Sequence, residues 1–276
     1  HADVALVVGT RFLDNFSQPR PMNPDTKLIR IDIDPEEMTQ DLNPDLQLVG
    51  DAKAGLAGLI ERLANTAGSR PSRKDELQAV KDAANARIFG MVPQGQYGQA
   101  MRDAVPDDGI FVGEMTQLGY WSNFGMPIYE PNTYITPGYQ GTLGFGFCTA
   151  LGVKVAKPDT TVISINGDGG FGFALNELAT MAQHNIAAIT LVFNDSAYGN
   201  VKRIQEEDLG GRQIASSLRN PDYMALAGAF GVTGRRAESP AALGTAITES
   251  IKANEPTLIE VPVGPMPNPW RALGLR

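Results

Sequence analysis

INGDGG, residues 165–170, closes the apolar run Val162-Ile163-Ser164-Ile165 and opens onto a helical pattern. Glycine-rich turns between a strand and a helix commonly hold a phosphate, since they expose backbone N–H groups and let an anion come close. This turn carries a carboxylate, Asp168, at its centre. A purely structural turn needs no such run of glycines around an acid. A dinucleotide site satisfies the letter of G-x-G-x-x-G through Gly167, Gly169 and Gly172, with Asp195 23 residues further on as a ribose-binding acid. Asp168 would then oppose a pyrophosphate of like sign, at roughly 4 kcal/mol for charges near 4 Å at an effective dielectric of 20. A divalent cation between Asp168 and a diphosphate turns that repulsion into a bridge, and magnesium commonly combines carboxylates with phosphate oxygens.

Further ligands must come from nearby, and parallel topology supplies one. The helical stretch 172–184 suits a crossover between parallel strands. The next apolar strand, Ile189 to Phe193, ends at once in Asn194-Asp195-Ser196-Ala197, which brings Asp195 beside Asp168. Strands at Ile110 to Val112, Val162 to Ile165, Ile189 to Phe193 and Thr257 to Val261 alternate with helical patterns near 77–89, 142–156, 172–184, 221–230 and 240–252. This alternation predicts an α/β fold, a parallel sheet flanked by helices on both faces. Asn220 reads as the cap of the fourth helix, Pro221 as its first residue and Gly231 as its end. Upstream, Val4 to Val8 reads as a buried strand and Lys27 to Ile33 as a second, and Asp51 caps a helix reaching Leu63. So short a unit makes a poor independent domain. Residues 1–66 therefore read as the C-terminal part of a larger α/β domain, 67–76 as a polar linker and 77–276 as a second domain.

GDGGF followed by VFND, with Asp168 and Asp195 27 residues apart, resembles the thiamine diphosphate signature. NELATMAQHNIAAITLVFN is similar to the corresponding helix and strand of acetolactate synthase-like enzymes, and TPGYQGTLGFGFCTALGVKVAKPDTTVISINGDG to the segment that packs on the cofactor's rings. VVGTRF, IDIDPEE and VGDAK resemble the end of that family's central domain, so the likeness covers nearly the whole chain. It implies the thiamine diphosphate-binding fold, with Asp168, Asp195 and the backbone carbonyl of Ala197 as magnesium ligands. It puts the turn at Gly167, with the amides of Gly169 and Gly170, on the diphosphate, and Thr116 and Gln117 in a second diphosphate-contacting turn. The Gly141 carbonyl would accept from the aminopyrimidine, and Leu143 would hold the cofactor bent; by residue chemistry alone Leu143 reads as core. Tyr198 and Asn200 would reach the cofactor and substrate pocket, with Tyr120, Trp121, Pro269 and Trp270 as candidates to line or cover it. The family usually carries asparagine where this chain has Asp195, and a carboxylate there leaves more negative charge beside the diphosphate.

The activity implied is decarboxylation of a 2-oxo acid with carboligation. A simple decarboxylase of the benzoylformate type, or a non-catalytic cofactor-binding or regulatory module, are the alternatives. In the family a glutamate from an N-terminal pyrimidine-binding domain protonates the cofactor's pyrimidine ring across a subunit interface. No stretch here resembles that domain. The expectation is an inactive fragment or half of a split enzyme, completed by a pyrimidine-binding domain of the same or another chain in a homodimer or homotetramer. No catalytic residue can be named; Glu114, at a strand end, is a candidate to help in the site. Whether a flavin or an adenine nucleotide binds the central part stays open.

A formal net charge of −8 argues against nucleic-acid and acidic-membrane partners. No apolar run approaches the roughly 18 residues of a membrane span, and HADVALVVGT lacks a basic leader region. The single cysteine, Cys148, excludes an internal disulfide and points to the cytoplasm; within FGFCTALG it reads as a packed core thiol. Only His1 and His184 are present, the latter at a helix end, so no Ser-His-Asp or Cys-His pair and no zinc set can be assembled. The hard chemistry then falls to a cofactor or metal.

Overall fold

The computed structural model describes residues 2–13, 22–37, 43–65, 68 and 71–274. The chain divides into two units, His1–Arg73 and Lys74–Arg276. In the first, β1 (Val4–Val8), β2 (Lys27–Asp32) and β3 (Leu46–Val49) form a parallel sheet in that order, followed by α1 (Ala52–Leu63). Asp51 caps α1, its carboxylate accepting from the Ala54 amide at 2.9 Å, as its position before the helix predicts. The expectation of a buried β1 is corrected: Val4 and Leu6 are 55% and 46% exposed, and Val7 alone is fully buried. Among the described residues of this unit one helix follows the three strands, and alternate apolar side chains of β1 are open. Of the expected linker 67–76, residues 67, 69 and 70 lie outside the described residues, and helix begins already at Lys74.

The second unit runs α2 (Lys74–Phe89), α3 (Gln94–Ala104), β4 (Ile110–Gly113), α4 (Gln117–Gly125), β5 (Tyr134–Ile135), α5 (Phe145–Ala156) and β6 (Val162–Gly167). It continues with a one-turn α6 (Asp168–Phe171), α7 (Leu178–Gln183), β7 (Ile189–Asn194), α8 (Gly199–Glu207), α9 (Tyr223–Phe230), β8 (Thr233–Arg236), α10 (Pro240–Ala253), β9 (Thr257–Pro262) and α11 (Pro269–Ala272). The strands form one parallel sheet in the order β5-β4-β6-β7-β9-β8. Successive residues of the central strands enter opposite cores. Ile163, Ile165, Leu191 and Ile259 meet Met101, Trp121 and Ile247 on one face. Val192 and Leu258 meet Phe147, Phe171, Leu178 and Tyr223 on the other. Burial on both faces explains why these strands read as unbroken apolar runs.

Several elements differ from the sequence reading for identifiable reasons. Helices α3 and α4 carry glycines that lower helix propensity. In α3 the glycine is a packing requirement, because a Cβ at Gly98 would enter the ring of Trp121. Edge strand β8 is polar, Thr-Gly-Arg-Arg, and half exposed, so it lacks a strand's apolar signature. The stretch 172–184 is not one helix: α6, then a 3₁₀ turn at Leu175–Glu177, precede α7. Helix α9 starts at Tyr223 and is capped by Asp222, which accepts from the Met224 and Ala225 amides, so Asn220 is free for another role; Gly231, at φ 73°, does end the helix. Cys148 is exposed and not a core thiol, since α5 turns Phe147, Ala150 and Leu151 inward instead. His184 stands at the end of α7, as read. Among the described residues no helix is long and apolar enough to cross a membrane.

Trp121 is fully buried, and its indole N–H donates to the Ile88 carbonyl at 2.9 Å. Trp121→Ala is expected to destabilise the chain by about 3–5 kcal/mol through cavity formation. Urea denaturation checks this; a loss below about 1 kcal/mol would contradict the packing described.

Candidate functional site

Parallel pairing of β6 with β7 sets Gly167 beside Phe193. Just beyond, both chains leave the sheet, and Asp168 and Asp195 emerge at the same edge. The two carboxylates perturb one another. Burial, then the charge of Asp168, pushes Asp195 up to about 6. Burial also raises Asp168, against hydrogen bonds from Asn220 and from the Gly169 and Ala197 amides. Two like charges held in a partly desolvated cleft form the arrangement that a bound cation relieves.

Behind Asp168 runs a chain of hydrogen bonds that no sequence motif announces. Asn220 Nδ2 donates to Asp168 Oδ2 at 2.5 Å and to Asn194 Oδ1 at 2.8 Å. Asn194 Nδ2 donates to Glu260 Oε1 at 2.8 Å, and Arg236 Nε to Glu260 Oε2 at 2.9 Å. The loop after β7 is pinned in turn. Ser196 sits at φ 56°, the Tyr198 amide donates to the Ser216 carbonyl at 2.9 Å and the Leu218 amide to the Ser196 carbonyl at 2.7 Å.

These elements enclose a cleft of about 290 Å³. Thr116 and Gln117 enter it from the end of β4 and the start of α4, and Gly141 and Leu143 from the loop before α5. Gly167, Asp168, Gly169 and Gly170 come from the end of β6, and Asp195, Ala197, Tyr198 and Asn200 from the segment after β7. All eleven residues expected to touch the cofactor or metal thus line one cleft. Gly169 is required by contact, for a Cβ there would lie 2.5 Å from the ring of Tyr198. Tyr120 lines the cleft and its ring centroid stands 4.6 Å from that of Trp270. Trp121 and Pro269 do not line it; Trp121 is core, and Pro269 is buried in α11. Val263 and Met266, just past β9, complete the wall and carried no sequence signal. Glu114 does not reach the cleft and lies buried behind it.

Among the described residues no three His, Cys, Asp or Glu side chains converge on a metal position. The donor set is two carboxylates, hard oxygen ligands that suit magnesium completed by backbone and phosphate oxygens better than they suit zinc.

Residues 114–261 match the family model described as the thiamine pyrophosphate enzyme C-terminal TPP binding domain, and residues 1–59 match that of the central domain. The chain belongs to the thiamine pyrophosphate enzyme family. The parallel sheets flanked by helices are those of its binding fold, and thiamine pyrophosphate is the thiamine diphosphate of the motif reading. The chain is 32% identical to the probable acetolactate synthase large subunit of Methanococcus aeolicus over 96% of its own length and 47% of that protein's. It is 28% identical to the acetolactate synthase isozyme 3 large subunit of Escherichia coli, covering 91% and 46%. It is 30% identical to a 2-hydroxyacyl-CoA lyase of Arabidopsis thaliana, covering 95% and 50%. The chain spans about half the length of the curated relatives it matches.

The paired carboxylates predict a pH signature in the metal-free chain. A carboxyl raised from 3.8 to about 6 on folding costs stability as pH rises through that window. Asp195→Asn removes the charge, so the variant is expected to exceed the parent by roughly 1 kcal/mol above that window, after allowance for solvent screening, and to gain nothing below it. Thermal melts in chelator across pH test this; a variant less stable than the parent at neutral pH would refute the carboxylate repulsion.

Proposed function

We propose that this chain is the diphosphate-holding part of an acetolactate synthase-like enzyme that decarboxylates a 2-oxo acid and joins the remaining carbon unit to a second carbonyl. The reading rests on one observation above all: Asp168 and Asp195 stand together at the sheet edge, in a cleft that also holds the glycine turn, Leu143 and Tyr198. The names of the relatives from Methanococcus aeolicus and Escherichia coli support carboligation. The lyase name of the Arabidopsis relative keeps a simple lyase as the second reading.

In this proposal Asp168, Asp195 and the Ala197 carbonyl hold magnesium, which ties the diphosphate to the sheet edge. Gly169, Gly170, Thr116 and Gln117 bind the diphosphate, the Gly141 carbonyl orients the pyrimidine ring, and Leu143 supports the bend between the rings. When bound, thiamine diphosphate supplies the acidic thiazolium carbon on which 2-oxo acid decarboxylation depends. Tyr120, Phe193, Val263 and Met266 form an apolar wall that excludes water from the reacting end. Residues 1–66 would belong to the central domain and the unit from Lys74 onward to the diphosphate-binding domain. A pyrimidine-binding domain, of the same or another polypeptide, supplies the glutamate for the pyrimidine ring in a homodimer or homotetramer. The lone cysteine favours a cytoplasmic setting.

Asp168→Ala is expected to weaken magnesium-dependent thiamine diphosphate binding by at least about 100-fold, close to 2.7 kcal/mol. Asp195→Asn should stay within about tenfold of the parent, because an amide oxygen still serves as ligand. Equilibrium dialysis with and without chelator measures both. Unchanged, cation-independent binding by the Asp168 variant would overturn the proposal.

A further inference from the structure

Glu114, at the exit of β4, is 3% exposed and has no charged partner among its contacts. Its carboxyl accepts from the amides of Gly144 and Phe145, the first of these through Oε1. Those amides open α5 directly after Leu143. The other side of the carboxyl lies against the glycine turn, where a Cβ at Gly170 would fall 2.6–2.8 Å from the Glu114 carboxyl atoms. One side chain therefore lies against two of the segments that carry cofactor-binding candidates, from behind the cleft.

Two acceptors in this region lack donors. Glu114 Oε2 and Asn166 Oδ1 are both buried without a hydrogen bond. The Asn166 amide cannot be turned to cure this, because its Nδ2 already donates to the Leu191 carbonyl at 2.9 Å, and a carbonyl only accepts. A Cβ placed on Gly146 would lie 2.5 Å from Asn166 Oδ1 and 3.4 Å from Glu114 Oε2, so both oxygens flank one point. Burying two neighbouring acceptors without a donor is costly, and a proton shared between them satisfies both.

We propose that Glu114 is a positioning residue held as a neutral acid, its Oε2–H donating to Asn166 Oδ1 while Oε1 accepts from the Gly144 amide, so that it fastens the Leu143 loop to the GDGG turn. Burial raises its carboxyl to about 7, against the lowering effect of the Gly144 and Phe145 amides, in keeping with a retained proton. The titratable neighbours Tyr120 and Cys148 are raised first by burial, and a phenol or thiol is neutral or anionic, so neither supplies a cation. A neutral clamp explains why an acid so near the site does not open onto it. Glutamine reproduces both functions: its oxygen accepts from the Gly144 amide and its NH₂ donates to Asn166.

The test uses the whole chain without cofactor. The infrared difference spectrum between parent and Glu114→Gln is expected to contain a protonated-carboxyl band from the parent, and the thermal midpoint of Glu114→Gln to match or exceed the parent's. Glu114→Ala leaves two buried amides without an acceptor and is expected to melt lower or not to fold. An ionised-carboxylate band in place of the protonated one, or a glutamine variant as damaged as the alanine one, would overturn the clamp. A further arm rests on the cofactor reading: Glu114→Ala, where folded, should bind thiamine diphosphate roughly tenfold or more weakly, and Glu114→Gln like the parent. A parent chain that binds no thiamine diphosphate would sink that reading and leave the infrared and thermal arms to decide the clamp.

Discussion

The parallel register of β6 against β7 is the constraint on which the site depends. Each residue of β6 pairs with one a fixed distance along the chain, from Ile163 with Ile189 to Gly167 with Phe193. That offset sets where the two chains leave the sheet, and hence that Asp168 and Asp195 emerge side by side. The register is itself fixed by burial. Ile163, Ile165 and Leu191 must enter one core and Val192 the other, and a slip of one residue would exchange them. The strand order adds the space. After β4 the chain turns outward to β5, then returns across to β6, so the connections diverge at neighbouring strands and leave a crevice at their carboxyl ends.

Holding two carboxylates there without a cation is unfavourable, and the surrounding polar groups answer that in layers. Asn220 steadies Asp168, Asn194 steadies Asn220, and Glu260, itself buried, is held by Asn194 and by Arg236. The positive end of this chain is thus an arginine on the edge strand β8, four hydrogen bonds from the acid it supports. The buried Glu260 is tolerable only because both its oxygens are engaged, one of them by a guanidinium.

The central strands and the acidic glycine turn were legible because their causes are local. A strand buried on both faces must be apolar throughout, and the acid among glycines lies within six consecutive residues. What escaped reading has causes spread along the chain. Helix α3 holds a glycine, Gly98, that Trp121 demands, Asn220 serves Asp168 and not the helix it precedes, and Val263 and Met266 reach the cleft only through the position of β9. Cys148 was misread because a small, apolar run does not reveal which side of α5 faces the sheet. Glu114 was visible as an acid at a strand end, but only the fold shows that it stands behind the cleft wall and not in it.

The central claim is that a divalent cation joins Asp168 and Asp195 to a diphosphate. Electron paramagnetic resonance of manganese bound in place of magnesium tests it directly. The account predicts tight manganese binding that depends on thiamine diphosphate, with phosphorus hyperfine coupling to the metal, both lost in Asp168→Ala. Manganese that binds equally well without the diphosphate, or shows no coupling to phosphorus, would contradict it.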